Sequence, residues 1–473
     1  MIVGRKTEQE ELKRAFHSEY SEFVAVTGRR RVGKTFLIRE TFNYSFSFQH
    51  SGLANQKTRV QLNEFRQSLI RCGKKKCRVP TDWFDAFNLL SELLDQQDDV
   101  KKVVFIDELP WMDSPRSNFV SALEHFWNGY ASARKDILLI ICGSATSWIT
   151  NNVFRNHGGL HNRVTHRINL APFTLNECEQ YAASRNLVMS RYDILQCYMV
   201  MGGVPFYWSL LERGKSLAQN IDDLFFSRYG KLHYEYNELY DSLFKNAAPY
   251  FKVVSTLGTK RVGMTRSEIV QEAGITNNGF LTRVLDDLEA CGFIRQYSYH
   301  GEKYNRSIFQ LVDNFTLFYF RFLNRRSEED EKFWSMNINT PTRNTWEGLA
   351  FERVCFAHIS QIKKALGISG ISTRLYSWNL KSDGEYGGGA QIDMVIDRAD
   401  NVVNLCEIKF SASEYAIDKS FDDSIRRKYS IFSVTLGKRK AVHLTLITPF
   451  GVKNNMYQHS VQNVITAEDL FRD

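Results

Sequence analysis

One contiguous stretch constrains this chain more than any other: FVAVTGRRRVGKTFLIRE, Phe23 to Glu40. Phe23 to Thr27 is an apolar run of strand character, and the pattern predicts a buried strand, a turn, and a helix beginning near Gly33. Gly28 and Gly33 let the backbone wrap closely around an anion, and the N–H groups exposed at a helix start bind phosphate. Lys34 then reaches the β and γ phosphates and Thr35 ligates Mg2+, so every position of G-x-x-x-x-G-K-[ST] is filled in the strand-turn-helix setting the motif requires. The ligand read from this loop is ATP. Arg29, Arg30, Arg31 and Val32 occupy the variable positions; the three arginines are open to two readings, a solvated basic loop or contacts to phosphate or DNA.

A second apolar run, KKVVFIDELPW, ends in Asp107 and Glu108. The expectation is a strand lying beside the phosphate-loop strand, with Asp107 orienting the water shell of magnesium and Glu108 polarising the attacking water. A third run, DILLIICGSATSWI, ends in small polar residues and places Ser144 where a side chain could sense the γ-phosphate.

Length and composition set the frame around these motifs. At 473 residues the chain exceeds what a single core usually supports, so several domains are expected. Its 43% hydrophobic and 24% charged residues are those of a folded globular protein, and its 13% aromatics exclude a disordered one. The N-terminal stretch is polar and the best apolar run is too short to span a bilayer, which leads to the expectation of a cytoplasmic protein with no membrane partner. The eight cysteines have no paired spacing, so neither disulfides nor structural zinc is expected. A formal net charge of +8 favours nucleic acid only weakly.

The order strand, phosphate loop, helix, strand ending in Asp-Glu, helix, strand ending in Gly-Ser resembles the AAA+ and STAND branch of P-loop ATPases. HNRVTHRINLAPFT resembles the segment after the sensor strand in the archaeal-type ATPase family, in which an arginine serves a neighbouring subunit's nucleotide. The resemblance makes Arg163 the candidate, with Arg155 behind it, and implies a homo-oligomer. MGGVPFYWSLL resembles a STAND motif in which a proline at the start of a lid helix packs on adenine; Gly202, Gly203 and Pro205 match it. From Leu175 to Tyr250 the apolar spacing is mostly helical, as a lid would have, and the lid is placed at 174–245.

From Met264 the sequence has the order of a winged helix-turn-helix: a helix over Ser267 to Ala273, a turn at Gly274 and a second helix from about Asn277. In a DNA reader this would expose Thr276, Asn277, Asn278, Thr282 and Arg283, with Lys303 and Arg306 in the wing. Asp286, Asp287 and Glu289 on the second helix would repel phosphate, so a spacer or protein contact is an equal reading. The aromatics of LVDNFTLFYFRFL read as core, and residues 326–345 as an exposed charged linker.

The C-terminal segment GGGAQIDMVIDRADNVVNLCEIKFS reads as two strands joined by a polar turn. Period-two alternation puts Glu407 and Lys409 on one face, and a hairpin can bring Asp393 beside Glu407. Two acids and a lysine converging there could hold Mg2+ or Mn2+ and position water against a phosphodiester. Asp393, thirteen intervening residues, then Glu-x-Lys resembles the PD-(D/E)XK nuclease fold from about Trp346 to the end. That resemblance implies a further glutamate from the upstream helix. Glu352 is preferred to Glu347, from which it is separated by roughly 140° around the helix. Arg426, Arg427, Lys428 and GKRK are candidates for phosphate contacts or for a solvated basic face. Where this family has a proline before the first aspartate, the chain has Ile392.

The expected fold is therefore an α/β P-loop AAA+/STAND-like ATPase core (1–173), helical lid (174–245), winged helix with aromatic connector (246–325), linker (326–345) and α/β restriction-endonuclease-like domain (346–473). The expected function is an ATPase that regulates a DNA-directed, metal-dependent nuclease-like module. The alternatives are a non-cutting STAND-like switch and a DNA-binding regulator whose C-terminal domain docks DNA or a partner.

Overall fold

The computed structural model describes residues 2–155, 158–244, 246–298, 307–324, 330–380, 390–436 and 440–473. Lys303, Arg306, the glycines at 387–389 and most of GKRK lie outside the described residues. The chain forms two compact units. The first comprises Met1–Pro172, Leu239–Ala247 and Thr282–Gly292; the second comprises Phe173–Glu238, Ala248–Leu281 and Phe293–Asp473.

The first unit is built on five parallel strands: β1 (Glu22–Thr27), β2 (Phe48–Ser51), β3 (Lys102–Asp107), β4 (Ile137–Cys142) and β5 (His166–Asn169). Their order is β2-β3-β4-β1-β5. The acid-bearing β3 is thus not the neighbour of the phosphate-loop strand β1, as its sequence suggested; β4 stands between them. The physical reason is burial. All six residues of ILLIIC are buried, and so apolar a strand takes the centre of a sheet covered on both faces. Alternation then divides the core. Phe23, Ala25, Val104, Ile106, Leu139 and Ile141 face one layer, while Val24, Val26, Val103, Phe105, Leu138 and Ile140 face the other. The insertion of β4 has a functional effect, because it brings Ser144 to the carboxyl edge alongside the Asp-Glu pair.

In the second unit, β6 (Met264–Thr265), β7 (Ile294–Ser298) and β8 (Ser307–Leu311) form an antiparallel sheet in the order β6-β8-β7. Helix Arg266–Ala273 starts with a capping box from Thr265 and Glu268 and ends at Gly274, whose φ of 60° is the left-handed turn expected there. Helix Gly279–Ala290 follows, its residues from Thr282 onward belonging to the first unit. The aromatic stretch forms helix Asn314–Phe322, and Phe318 and Phe322 pack on Trp334 and Trp346. This corrects the reading of 326–345 as an exposed linker. Its described part contains helix Phe333–Met336 and the start of helix Pro341–Ala357, with Trp334 buried under the Arg343 guanidinium, 4.2 Å from its ring. An indole is too large an apolar surface to leave in water, and charged neighbours in sequence did not change that.

The C-terminal sheet has the order β13-β12-β11-β10-β9, from β9 (Thr373–Leu380), β10 (Ala390–Arg398), β11 (Val402–Ile408), β12 (Ala441–Ile447) and β13 (Asn463–Ile465). β9, β10 and β11 pair antiparallel, whereas β12 and β13 join in parallel. The antiparallel β10–β11 pair is the expected hairpin, with Met394 opposite Cys406 and Asp397 opposite Val403. Against β9 the pairing steps from Ile392 opposite Trp378 to Val395 opposite Tyr376, so β10 carries one extra residue beside Asp393. Helix Lys419–Leu436 is the expected amphipathic helix after the second strand.

Candidate functional sites

At the carboxyl end of β1 the chain turns through Gly28, whose φ is 139° and where a Cβ would stand 2.3 Å from the Leu170 carbonyl oxygen. Only glycine fits. Gly33, at φ 91°, is the left-handed residue from which helix Lys34–Thr41 begins. Within the loop Arg29 is buried, Arg30 and Arg31 are half-buried, and Val32 drops into the apolar layer with Leu37 and Ile38. The buried Lys34 ammonium donates to the carbonyls of Gly28 (2.8 Å) and Arg29 (3.0 Å). Burial lowers its pKa from the ordinary lysine value, while the nearby Glu108 and Asp107 oppose that shift.

Asp107 is the junction of the site. Its Oδ2 accepts from the Thr35 hydroxyl at 2.8 Å, and its Oδ1 accepts from the Glu108 backbone N–H at 2.8 Å and from the Cys142 thiol. Thr35 and Asp107 are thus already paired, the two groups whose oxygens a magnesium ion with its water shell would take up. Glu108 sits at φ 48°, an uncommon conformation for a side-chain-bearing residue, and the Ser144 hydroxyl donates to its Oε1 at 2.9 Å. Ser144 therefore reaches the Glu108 carboxylate. Thr146, which the sequence did not single out, accepts from the Gly28 N–H at 3.3 Å and holds the loop's first glycine. Arg163 and Arg155 are exposed on the segment before β5. Pro205 opens helix Pro205–Ser209 at its first position, within the second unit, and a Cβ on Gly203 would stand 1.9 Å from the Phe173 carbonyl oxygen.

The second group of predicted residues converges around β10 and β11. The hairpin register sets Asp393 beside Glu407, and Asp393 Oδ2 accepts from the Ile408 N–H at 3.1 Å. Both acids are buried. Glu352 joins them from helix Pro341–Ala357, whereas Glu347 is bonded to Arg343 and Gln196 and faces elsewhere. Burial, then the Asp393 charge, raise the Glu352 and Glu407 carboxyls above the ordinary range. Lys428 donates to Glu407 Oε1 at 2.6 Å and Lys409 stands 3.7 Å from Oε2. Lys428 is thus committed to Glu407, and Arg426 to Asp422, in place of the free phosphate contacts expected of that basic run. Arg261, also missed, donates to Glu352 and lies 3.5 Å from Asp393 Oδ1. Among the described residues no three His, Cys, Asp or Glu side chains converge on a single ion position.

On the exposed side of helix Gly279–Ala290 stand Thr282 and Arg283, with Thr276, Asn277 and Asn278 exposed just before it. Asn277 Oδ1 accepts from Arg266 at 2.8 Å. Among the described residues no helix is long and apolar enough to cross a membrane.

A parallel sheet whose phosphate loop, Thr35–Asp107 pair and Ser144–Glu108 pair share one edge defines a P-loop ATPase domain. In agreement, residues 2–211 match a family model described as an ATPase domain predominantly from Archaea. An uncharacterized protein of Methanocaldococcus jannaschii is 23% identical over 368 residues, covering 77% of this chain and 78% of its own. Among solved structures, a Walker-type ATPase of Pyrococcus abyssi is 15% identical with a TM-score of 0.48, covering 68% of this chain and 96% of the other. The ORC2 protein of Aeropyrum pernix is 14% identical with a TM-score of 0.40 (71% and 95%). A STAND protein with a tetratricopeptide repeat sensor from Pyrococcus horikoshii is 16% identical with a TM-score of 0.30 (78% and 48%).

Proposed function

We propose that the chain is an ATPase whose nucleotide cycle regulates a DNA-directed, metal-dependent nuclease-like module. In the ATPase half, Lys34 and the loop N–H groups bind the phosphates, Thr35 and Asp107 hold magnesium, and Glu108, steadied by Ser144, orients the attacking water. Arg163 is the candidate contributor to a neighbouring copy's nucleotide, and Pro205 the candidate adenine contact.

The observation that carries the nuclease half is the placement of Asp393 beside Glu407, with Lys409 and Lys428 on the second acid and Glu352 close by. Buried carboxylates crowded this way suit a divalent cation, whose charge would relieve their mutual repulsion. Asp393 and Glu407 would hold it. Bound there, the ion would polarise a phosphodiester and lower the pKa of a water. Lys409 would then steady the negative charge on the phosphate, and Glu352 would complete the acidic wall. The exposed Asn277 and Arg283 are the candidate duplex contacts.

The test is cleavage of linear, circular, single-stranded and branched DNA with Mg2+ or Mn2+, with and without ATP, comparing wild type with Asp393→Ala. Cutting that requires Asp393 supports the reading. If the protein cuts nothing, the ATP-driven switch takes its place, with the C-terminal fold as a docking surface. The absence of a three-acid ligand set among the described residues favours that second reading.

A further inference from the structure

Three carboxylates, Glu352, Asp393 and Glu407, meet three directly placed bases, Arg261, Lys428 and Lys409. A divalent cation entering this group must displace a positive charge already there. Lys428 and Lys409 both attend Glu407. Arg261 is different, since it spans two acids from separate elements, Glu352 on its helix and Asp393 on β10.

Arg261 also comes from outside the nuclease-like fold. It sits in the turn before β6, closed by a Gly263 N–H to Lys260 carbonyl bond of 3.0 Å. The turn is pinned to the three-stranded sheet. Gln310 donates to the Arg261 carbonyl at 2.7 Å, and the Tyr297 hydroxyl donates to the Val262 carbonyl. Gly263 lies at φ 83°, where a Cβ would stand 2.4 Å from the Phe309 carbonyl oxygen, so the turn sits flush on β8. The backbone of the turn is held from three directions, and from it the partly exposed Arg261 side chain reaches the two acids. One guanidinium nitrogen, Nη2, reaches both acids, and a hydrated metal must displace that fixed positive charge.

We propose that Arg261 is a built-in competitor for the metal, a lock whose positive charge holds Asp393, one of the two proposed metal ligands, together with the neighbouring Glu352 until the turn carrying it withdraws. This rests on the reading of the acid cluster as a metal site. Because the turn is fastened to β7 and β8, it moves with that sheet, and an event that shifts the sheet changes metal affinity.

The experiment is Mn2+ titration of the full-length, nucleotide-free protein, following the free ion by electron paramagnetic resonance. Wild type is compared with Arg261→Gln, Asp393→Asn and the double variant. The lock predicts binding on the order of tenfold tighter in Arg261→Gln, as expected when a competitor holds most of the unliganded population. The gain disappears when Asp393→Asn is added. If Arg261→Gln binds as wild type does while Asp393→Asn abolishes binding, the metal site stands and the lock is overturned. If no Asp393-dependent binding occurs in any variant, the metal reading fails and takes the lock with it. Should Arg261→Gln not fold, judged by thermal melting, Arg261→Met takes its place, keeping the length of the side chain and removing its charge. It should bind Mn2+ more tightly than wild type, and an unchanged affinity overturns the lock.

Discussion

The nucleotide site of the first unit and the acid cluster of the second are both occupied by their own side chains, but on different terms. Lys34 rests on two neutral carbonyls of its own loop. Arg261 rests on two carboxylates. Exchanging a carbonyl for a phosphate oxygen gains a charge-assisted bond, so the first site is poised for its ligand. Exchanging a carboxylate for anything else first breaks a partly buried ion pair, so under the proposed reading the second site would be held against a cation.

The sharpest way to break this comparison is Lys34→Ala. ATP affinity should fall about a hundredfold or more, as measured with a fluorescent ATP analogue, because a buried charge-assisted contact to phosphate is lost. Near-native affinity would show that the loop amides alone bind, and the first site would no longer count as poised by its lysine. Glu108→Gln comes next. Steady-state hydrolysis should drop by 10²–10⁴, the usual span for removing a general base, while ATP stays bound and becomes trapped. Unchanged turnover would remove Glu108 from the chemistry.

A smaller effect compares the two units under acid. Burial depresses His50 in the first unit to about 3 and His358 in the second to about 4. Both are neutral in the folded protein, and His358 accepts from the Leu175 N–H at 2.9 Å. The unfolded chain binds their protons first, so stability present at pH 7 is lost as pH falls below the unfolded value near 6.5. Each costs about 2 kcal/mol by pH 5. Urea midpoints at pH 7 and pH 5 for His50→Asn and His358→Asn should each show a smaller acid loss than wild type. Equal losses would mean that neither histidine governs its unit. Ser144→Ala is the mildest change. It should slow hydrolysis about tenfold or less, because it loosens Glu108 without removing it, and a loss as large as that of Glu108→Gln would give Ser144 a direct role.

The phosphate loop was legible because strand, turn and helix are contiguous and each glycine has a steric reason to be there. The Asp393–Glu407 pairing was legible for a related reason, since a hairpin fixes its register locally. The insertion of β4 was not, because strands buried on both faces carry no mark of their neighbours. Arg261 also escaped notice, and Lys428 was read as a phosphate contact rather than as the partner of Glu407. They reach the cluster from 132 and 21 residues away from their acid partners, and nothing in the local pattern announces that. Trp334 shows the opposite error, a buried indole hidden among charges.

The extra residue in β10 has a consequence of its own. Between Ile392 and Val395 the strand is one residue longer than its partner β9 needs. Shortening it there by a single codon would repair the ladder and tidy the fold, yet turn Asp393 to the wrong side of the sheet. In this strand the irregularity carries the information, and a more regular ladder would part Asp393 from Glu407.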